Sequence, residues 1–117
     1  MRTIIAGSRT ITDYSVVANA IEESGFKITK VVSGMAKGVD KLGEIWAHNN
    51  NVPVILCPAD WEKHGKSAGY KRNIEMADLA DALIVIIENN SRGSSHMLAI
   101  AKDRGLEVFE KRLTSLA

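Results

Sequence analysis

The feature that most constrains the fold is an alternation between short apolar runs and longer segments whose apolar residues recur every three or four positions. The five apolar runs are residues 3–6, 30–32, 52–57, 82–87 and 106–109. Strands that are apolar throughout and alternate with helices are typical of a parallel sheet with helices on both faces. The predicted fold class is therefore α/β, a three-layer open parallel sheet of five strands.

The run of residues 82–87 is the most apolar, so we expect it to be a central strand with both faces buried. Pro53 lies near the start of the third run, which is typical of a strand start or an edge strand. Right-handed crossovers place every strand-to-helix loop at the carboxyl edge of such a sheet, where ligands bind. We therefore expect the four strand-to-helix loops to lie close together.

Length and charge limit what the chain can be. A chain of 117 residues that is 45% hydrophobic is predicted to form one domain, residues 1–117. Fifteen Lys and Arg against fourteen Asp and Glu give a formal charge of +1, so no overall field attracts nucleic acid or an anionic membrane. Any site for a polyanion must therefore be local.

The first apolar run and the single cysteine bear on location. The run that follows Met1 and Arg2 is too short for a signal peptide or a membrane span. Cys57 is the only cysteine, which excludes an internal disulfide and fits a reducing compartment. The sequence thus predicts a cytoplasmic protein without a membrane partner.

The segment from Val31 to Asp40 predicts a strand that turns sharply into a helix. Gly34 and Gly38 allow the backbone to approach a ligand without an intervening Cβ. N–H groups at the start of a helix have no intrahelical partner, and together with the helix dipole they suit a phosphate or another anion. An ordinary strand-to-helix turn is the alternative for this segment alone.

Two other loops have similar chemistry. Gly7, Ser8 and Arg9 follow the first strand and offer a hydroxyl and a guanidinium, although an exposed arginine in a turn has the same pattern. Residues 91–95 follow the most apolar strand and precede a helix, so they form a second amide-rich candidate anion site. Two such loops on one edge are more informative than either alone.

Three further side chains have open interpretations. Asp40 is either a helix-stabilising charge or an acceptor for a ribose hydroxyl. Trp61, next to Asp60, either covers the core or stacks on a base. Arg72 is either a surface residue paired with Glu75 or a clamp on phosphate or carboxylate.

The predicted ligand-binding residues lie in these loops and in the helix that carries Arg72. They are Gly7, Ser8, Arg9, Ser33, Gly34, Ala36, Lys37, Gly38, Asp40, Asp60, Trp61, Lys66, Arg72, Asn73, Ser91, Arg92, Gly93, Ser94 and Ser95. No residue is predicted to be catalytic, and no cofactor is predicted.

Metal and nucleotide-triphosphate motifs fit poorly. His48, His64 and His96 lie in separate segments, and with one cysteine there is no metal-ligand spacing. Gly65-Lys66-Ser67 lacks the upstream glycine of a phosphate-binding loop and does not directly follow a strand, so Ser67 is interpreted as a helix cap.

At this level of detail the chain resembles the SLOG superfamily, a Rossmann-like group that joins the Smf/DprA DNA-processing proteins and the LOG nucleotide phosphoribohydrolases. Four segments resemble motifs of this superfamily: residues 33–40, Gly69 to Asn73 with Met76, residues 80–85, and residues 92–97. Ala6 to Arg9 and Pro58 to Trp61 are similar to motifs of its small YspA-like branch. The resemblance covers nearly the whole chain.

This resemblance implies a domain that binds nucleotides or nucleotide-derived ligands at the loop edge, for sensing or for cleavage of an N-glycosidic bond. One departure concerns the LOG pattern, in which a catalytic glutamate lies three positions past a Gly-Thr pair. Gly93-Ser94 align with that pair, Arg72 matches the catalytic arginine, and Met97 occupies the glutamate position. A thioether cannot replace a carboxylate as an acid. LOG-type hydrolysis would need Asp40, Asp60 or Glu88 instead.

Three functions follow from the sequence. The first is a binding module for a nucleotide or nucleotide-like signal, and the second is an N-glycosidase acting on nucleotides. The third is DprA-like binding of single-stranded nucleic acid, which the near-neutral charge disfavours. Apolar residues on two sides of the segment from Ser67 to Asp81, together with the frequent pairing of superfamily members, predict a homodimer.

Overall fold

A computed structural model describes residues 1–89 and 91–113 of the chain. Its strands are β1 (Arg2–Gly7), β2 (Lys30–Ser33), β3 (Val54–Leu56), β4 (Ala82–Glu88) and β5 (Glu107–Leu113). Its helices are α1 (Tyr14–Ser24), α2 (Val39–Asn49), α3 (Trp61–His64), α4 (Ala68–Leu79) and α5 (Arg92–Asp103), with a short 3-10 turn at Gly65–Ser67.

The five strands form one sheet in the order β3-β2-β1-β4-β5, and every neighbouring pair is parallel. This confirms the predicted α/β class and the open parallel sheet. The chain builds outwards from β1 through β2 to β3, then returns to the other side of β1 for β4 and β5. The strand order therefore reverses between β1 and β4, and the carboxyl ends of these strands flank the point where such sheets bind ligands.

Strand β4 divides the core into two clusters because its side chains alternate between the faces of the sheet. Leu83, Val85 and Ile87 pack with residues of α4 and α5, whereas Ile84 and Ile86 pack with residues of α1 and α2. Residues 82–87 are all buried, as expected for a central strand covered on both faces.

Element boundaries differ from the sequence expectations at β3 and β5. The edge strand β3 has three residues, because Val52 N donates to Ala47 O and so belongs to the turn that ends α2. Strand β5 extends to Leu113 through a segment without a strong pattern, because it pairs with β4 as far as Glu88. A partner strand fixes the conformation of residues whose own sequence is ambiguous.

Two helices begin where a loop was expected. Helix α3 lies in the polar segment after β3, where the Asp60 side chain accepts a hydrogen bond from Lys63 N at 3.0 Å. Helix α5 begins at Arg92, five residues before Met97, the first residue of its apolar pattern. Asn90, which falls in the expected loop of residues 88–95, and residues 114–117 lie outside the described residues. Among the described helices, none has the length and apolarity needed to cross a membrane.

Gly43 determines how closely α2 packs on β1. An added Cβ at Gly43 would lie 2.8 Å from Ile5 Cγ2 and 2.9 Å from Ile5 Cβ, both inside the core. We expect Gly43→Ala to lower the free energy of unfolding by about 1–2 kcal/mol. The clash of the added methyl group with Ile5 destabilises the core by more than the higher helix propensity of alanine stabilises α2. Urea unfolding followed by circular dichroism measures this change.

Gly69 in α4 provides the matched control. Its added Cβ would meet Trp61 Cη2 at 3.6 Å, an ordinary contact. Gly69→Ala should leave the free energy of unfolding unchanged or raise it by up to about 1 kcal/mol. Equal stability of the two variants would contradict the packing argument.

Candidate functional site

A cavity of about 370 Å³ lies at the carboxyl ends of β1 and β4, where the strand order reverses. We call it the main cavity. Its wall includes Gly7 at the end of β1, with Ser8 and Arg9 in the loop that follows. Glu88 at the end of β4 and residues 91–94 around the start of α5 also line it. Ala36 and Asp40, on either side of the start of α2, complete one side. Three loops thus contribute to one cavity.

A second cavity of about 260 Å³ lies beside the first, and we call it the side cavity. Met35, Pro58, Ala59 and Trp61 line it. Arg9, Ala36 and Arg72 line both cavities, so these residues form the boundary between them.

Gly38 allows the loop before α2 to lie against the loop after β1. Its φ is 76°, and an added Cβ would lie 2.3 Å from Ser8 O and 2.7 Å from Arg9 Cα. Val39 N, the next amide, donates to Ser8 O at 3.4 Å. Only glycine combines this conformation with so close a backbone approach. Gly38 therefore shapes the cavity wall without lining it.

Two buried serines hold the loops in place through internal hydrogen bonds. Ser8 Oγ accepts from Glu88 N at 2.8 Å and donates to Glu88 O at 3.1 Å, which ties the β1 loop to the end of β4. Ser33 Oγ accepts from Met35 N at 3.1 Å and donates to Glu44 Oε2 at 2.7 Å. Both hydroxyls position backbone around the cavities, and Ser33 lines neither cavity.

Arg72 and Asn73 connect α4 to both glycine-containing loops. Arg72 Nη1 donates to Gly34 O, and its Nε donates to Asn73 Oδ1 at 3.1 Å. Asn73 Nδ2 donates to Gly93 O at 3.2 Å and lies 3.1 Å from His96 Nδ1. Burial lowers the pKa of His96, which favours the neutral ring that can accept this bond. The guanidinium is therefore held at the boundary between the cavities.

Asp40 is buried beside this guanidinium, with 5% of its surface exposed. Burial raises the pKa of Asp40 to about 6, opposed by the hydrogen bond from Ala36 N and by the charge of Arg72. An added Cβ at Gly34 would lie 2.8 Å from Asp40 Oδ2 and 2.7 Å from Arg72 Nη1. Gly34 thus keeps open the space between a carboxyl group and a guanidinium.

Most of the predicted binding residues line one of the two cavities. The main cavity is lined by Gly7, Ser8, Arg9, Ala36, Asp40, Arg72, Asn73, Ser91, Arg92, Gly93 and Ser94. Gly34 and Trp61 line the side cavity. Six predicted residues line neither: Ser33, Lys37, Gly38, Asp60, Lys66 and Ser95. Lys37, Lys66 and Ser95 are exposed, and Asp60 caps α3.

Several lining residues were not predicted. Thr10 and Asn89 extend two loops by one residue each, and Met76 forms part of the wall from α4. Met76 follows helical spacing that is typical of the core, and its 1% exposure shows that it is also core. The sequence has no signal that separates a core methionine from one at the base of a cavity.

Acidic groups at the main cavity are Asp40 and Glu88, whereas Asp60 lies outside it. Met97, which occupies the glutamate position of the LOG pattern, lines the cavity and is 1% exposed. Within residues 1–89 and 91–113, no three His, Cys, Asp or Glu side chains are grouped closely enough to hold a metal ion.

Comparisons with known proteins give three matches. Residues 1–64 match the model of a family described as YAcAr, the YspA, cpYpsA-related SLOG family. The Gene 61 protein of Mycobacterium phage D29 is 36% identical over 118 residues, which cover 92% of this chain and 94% of that protein. The X-ray structure of DNA processing protein A (DprA) from Streptococcus pneumoniae aligns with a TM-score of 0.74 at 20% identity. That alignment covers 93% of this chain and 49% of the DprA chain, so this chain spans about half of it.

The raised pKa of Asp40 predicts how stability depends on pH. Between its ordinary value of 3.8 and about 6, the folded protein keeps a proton that the unfolded chain loses. This group therefore lowers the free energy of unfolding as pH rises through that window. Asp40→Asn cannot ionise, so it should gain stability over the wild type by roughly 1–3 kcal/mol between pH 4 and pH 7.5.

Urea unfolding of both proteins at several pH values measures this difference. Asp13 and Asp81 have lowered pKa values and contribute in the opposite direction, but they are present in both proteins and cancel. If the free energies of unfolding of the two proteins differed by the same amount at every pH, Asp40 would not titrate as described.

Proposed function

Because the chain belongs to the YspA, cpYpsA-related SLOG family, we propose that residues 1–117 form one domain that binds a nucleotide or nucleotide-derived ligand in the main cavity, as a sensor or ligand-binding module. Family membership confirms the resemblance found in the sequence. The observation that carries the proposal is the position of the main cavity, at the reversal of strand order and between the starts of α2 and α5.

The charges at the main cavity favour an anion. Three arginines, Arg9, Arg72 and Arg92, line it, against the carboxyl groups of Asp40 and Glu88. The raised pKa of Asp40 lowers its negative charge only at and below about pH 6, and at neutral pH the three guanidinium groups still outnumber the two carboxylates. A guanidinium presents several N–H donors in a planar fork that matches phosphate oxygens. The site is therefore locally positive in a chain of formal charge +1.

The helix starts support the same conclusion. Helix α2 begins after Gly38, which has no side chain to cap it, and α5 begins after Ser91. Ser91 Oγ bonds to Ser94 Oγ at 2.8 Å, and within the described residues it makes no capping bond to a backbone N–H. The first amide of α2, Val39 N, donates to Ser8 O at 3.4 Å, so α2 contributes the positive end of its dipole. Residues from both helix starts line the main cavity, and two such dipole ends at one cavity suit a phosphate.

Cleavage of a nucleotide N-glycosidic bond is the second candidate. The observation that favours it is a buried carboxyl group, Asp40, whose pKa of about 6 suits proton transfer and which lines the cavity together with Glu88. Chromatography for released base across the nucleoside monophosphates tests it. Absence of free base at any pH from 5 to 8 would leave binding alone.

Two further predictions stay open. DprA is named as a DNA-processing protein, but an alignment at 20% identity carries only the fold to this chain. Gel shifts at several salt concentrations test nucleic-acid binding. A homodimer is proposed because Tyr70, Ile74 and Leu79 of α4 are 37–45% exposed, and light scattering tests it.

Arg72 gives the sharpest test of anion binding in the main cavity. Replacing Arg72 with Gln removes a charge but keeps a polar side chain of similar length. We expect the dissociation constant for a bound nucleotide to rise about 10- to 100-fold, because a charge-assisted hydrogen bond contributes roughly 1.5–3 kcal/mol. Isothermal calorimetry of wild type and variant against nucleoside mono- and diphosphates measures the change.

Arg104→Gln is the matched control. Arg104 ends α5, away from the carboxyl edge of the sheet, and its guanidinium pairs with Asp78 on the surface. This variant should bind as the wild type does. If no nucleotide binds to the wild type, the proposal falls, and if both variants weaken binding equally, Arg72 has no special role.

A further inference from the structure

We propose that the ligand is an extended nucleotide, a nucleoside diphosphate or its sugar derivative, whose base stacks on Trp61 in the side cavity and whose phosphates pass Arg72 into the main cavity. This inference rests on the proposed function and adds the class and orientation of the ligand. It follows from the way the two cavities are joined.

Arg72 lines both cavities, and its guanidinium lies between Asp40 of the main cavity and Trp61 of the side cavity. Nη1 lies by Gly34, where an added Cβ would be 2.7 Å from it and 2.8 Å from Asp40 Oδ2. Nη2 lies near the indole, because an added Cβ at Gly69 would be 3.9 Å from Nη2 and 3.6 Å from Trp61 Cη2. The guanidinium thus links the polar wall of the main cavity to the indole of the side cavity.

The side cavity suits a flat aromatic group. Trp61 is 54% exposed, which is high for a tryptophan, and Met35, Pro58 and Ala59 supply the other apolar surfaces. Asp60 holds Trp61 at the start of α3 by accepting from Lys63 N at 3.0 Å. The indole is therefore anchored through its backbone while its ring stays accessible. An aromatic side chain can stack on any base, because every base has a π-face.

The boundary between the cavities and the main cavity itself indicate which groups the rest of the ligand contains. A molecule that spans both cavities passes Arg9 and Arg72, whose positive charges favour a phosphate at that point. Beyond the boundary lies the main cavity of about 370 Å³, which is far more space than one phosphate group needs. A second phosphate, with or without a sugar, fits the arginine, hydroxyl and amide groups there.

Calorimetry with the intact chain tests both parts of the inference. The probes are ADP, GDP, CDP and UDP, the matching monophosphates, and inorganic pyrophosphate. We expect at least one diphosphate to bind about tenfold or more tightly than its monophosphate. Trp61→Ala should weaken that binding by about fivefold or more through lost stacking, while pyrophosphate affinity stays within about twofold.

Two variants control the result. Trp61→Phe keeps an aromatic face and should recover most of the affinity. Trp46→Phe changes the other tryptophan, which is partly buried on α2 against the core, and should bind as the wild type does. Acrylamide quenching of tryptophan fluorescence should fall when the diphosphate binds to the wild type and stay constant for Trp61→Phe, since Trp61 is the exposed indole.

The outcomes separate the two proposals. The inference is overturned if Trp61→Ala binds the diphosphate as tightly as the wild type does and if Trp61 of the wild type stays accessible to acrylamide in the complex. The proposed function would still stand in that case. Monophosphate binding as tight as diphosphate binding also overturns it. If no nucleotide produces a measurable heat, the proposed function itself fails.

Discussion

The arrangement of the site depends on the pair Arg72 and Asn73 on α4. Through Gly34 O and Gly93 O, these two side chains fix the loop before α2 and the start of α5 relative to one another. Gly34 lies in the loop before α2 and Gly93 in the first turn of α5, so the two hydrogen bonds fix a loop and a helix start against α4. The hydrogen bond between Arg72 Nε and Asn73 Oδ1 makes the two contacts a single unit.

Other polar groups near the site are also used internally. Ser8 binds both backbone groups of Glu88, and Ser33 lies between Met35 N and Glu44. No buried side-chain nitrogen or oxygen is left without a partner among the described residues. Because these groups are satisfied without a ligand, the walls of the cavities are preorganised. The groups that remain available are backbone amides, guanidinium N–H groups and the exposed indole of Trp61.

The sequence predicted the fold well because most strands contain continuous apolar runs, residues 82–87 above all, and such runs are typical of a sheet covered on both faces. It also placed Arg9, Asp40, Arg72 and Gly93 at one edge, since parallel topology brings those loops together. It could not distinguish side chains that line a cavity from those that support it, and Ser33 is an example. A serine hydroxyl at this position could bind a ligand equally well. Only the structure shows that Ser33 Oγ donates to Glu44 Oε2 instead.

The formal charge of +1 says little about the cavity, because charge is distributed by topology rather than by composition. Arg9 follows β1, Arg72 lies in α4 and Arg92 begins α5, so the first two lie 63 positions apart in the sequence. The reversal of strand order brings all three to one edge. Of the acidic residues, only Asp40 and Glu88 reach the main cavity, so its three arginines outnumber its carboxyl groups. A nearly neutral chain thus builds a site that favours anions.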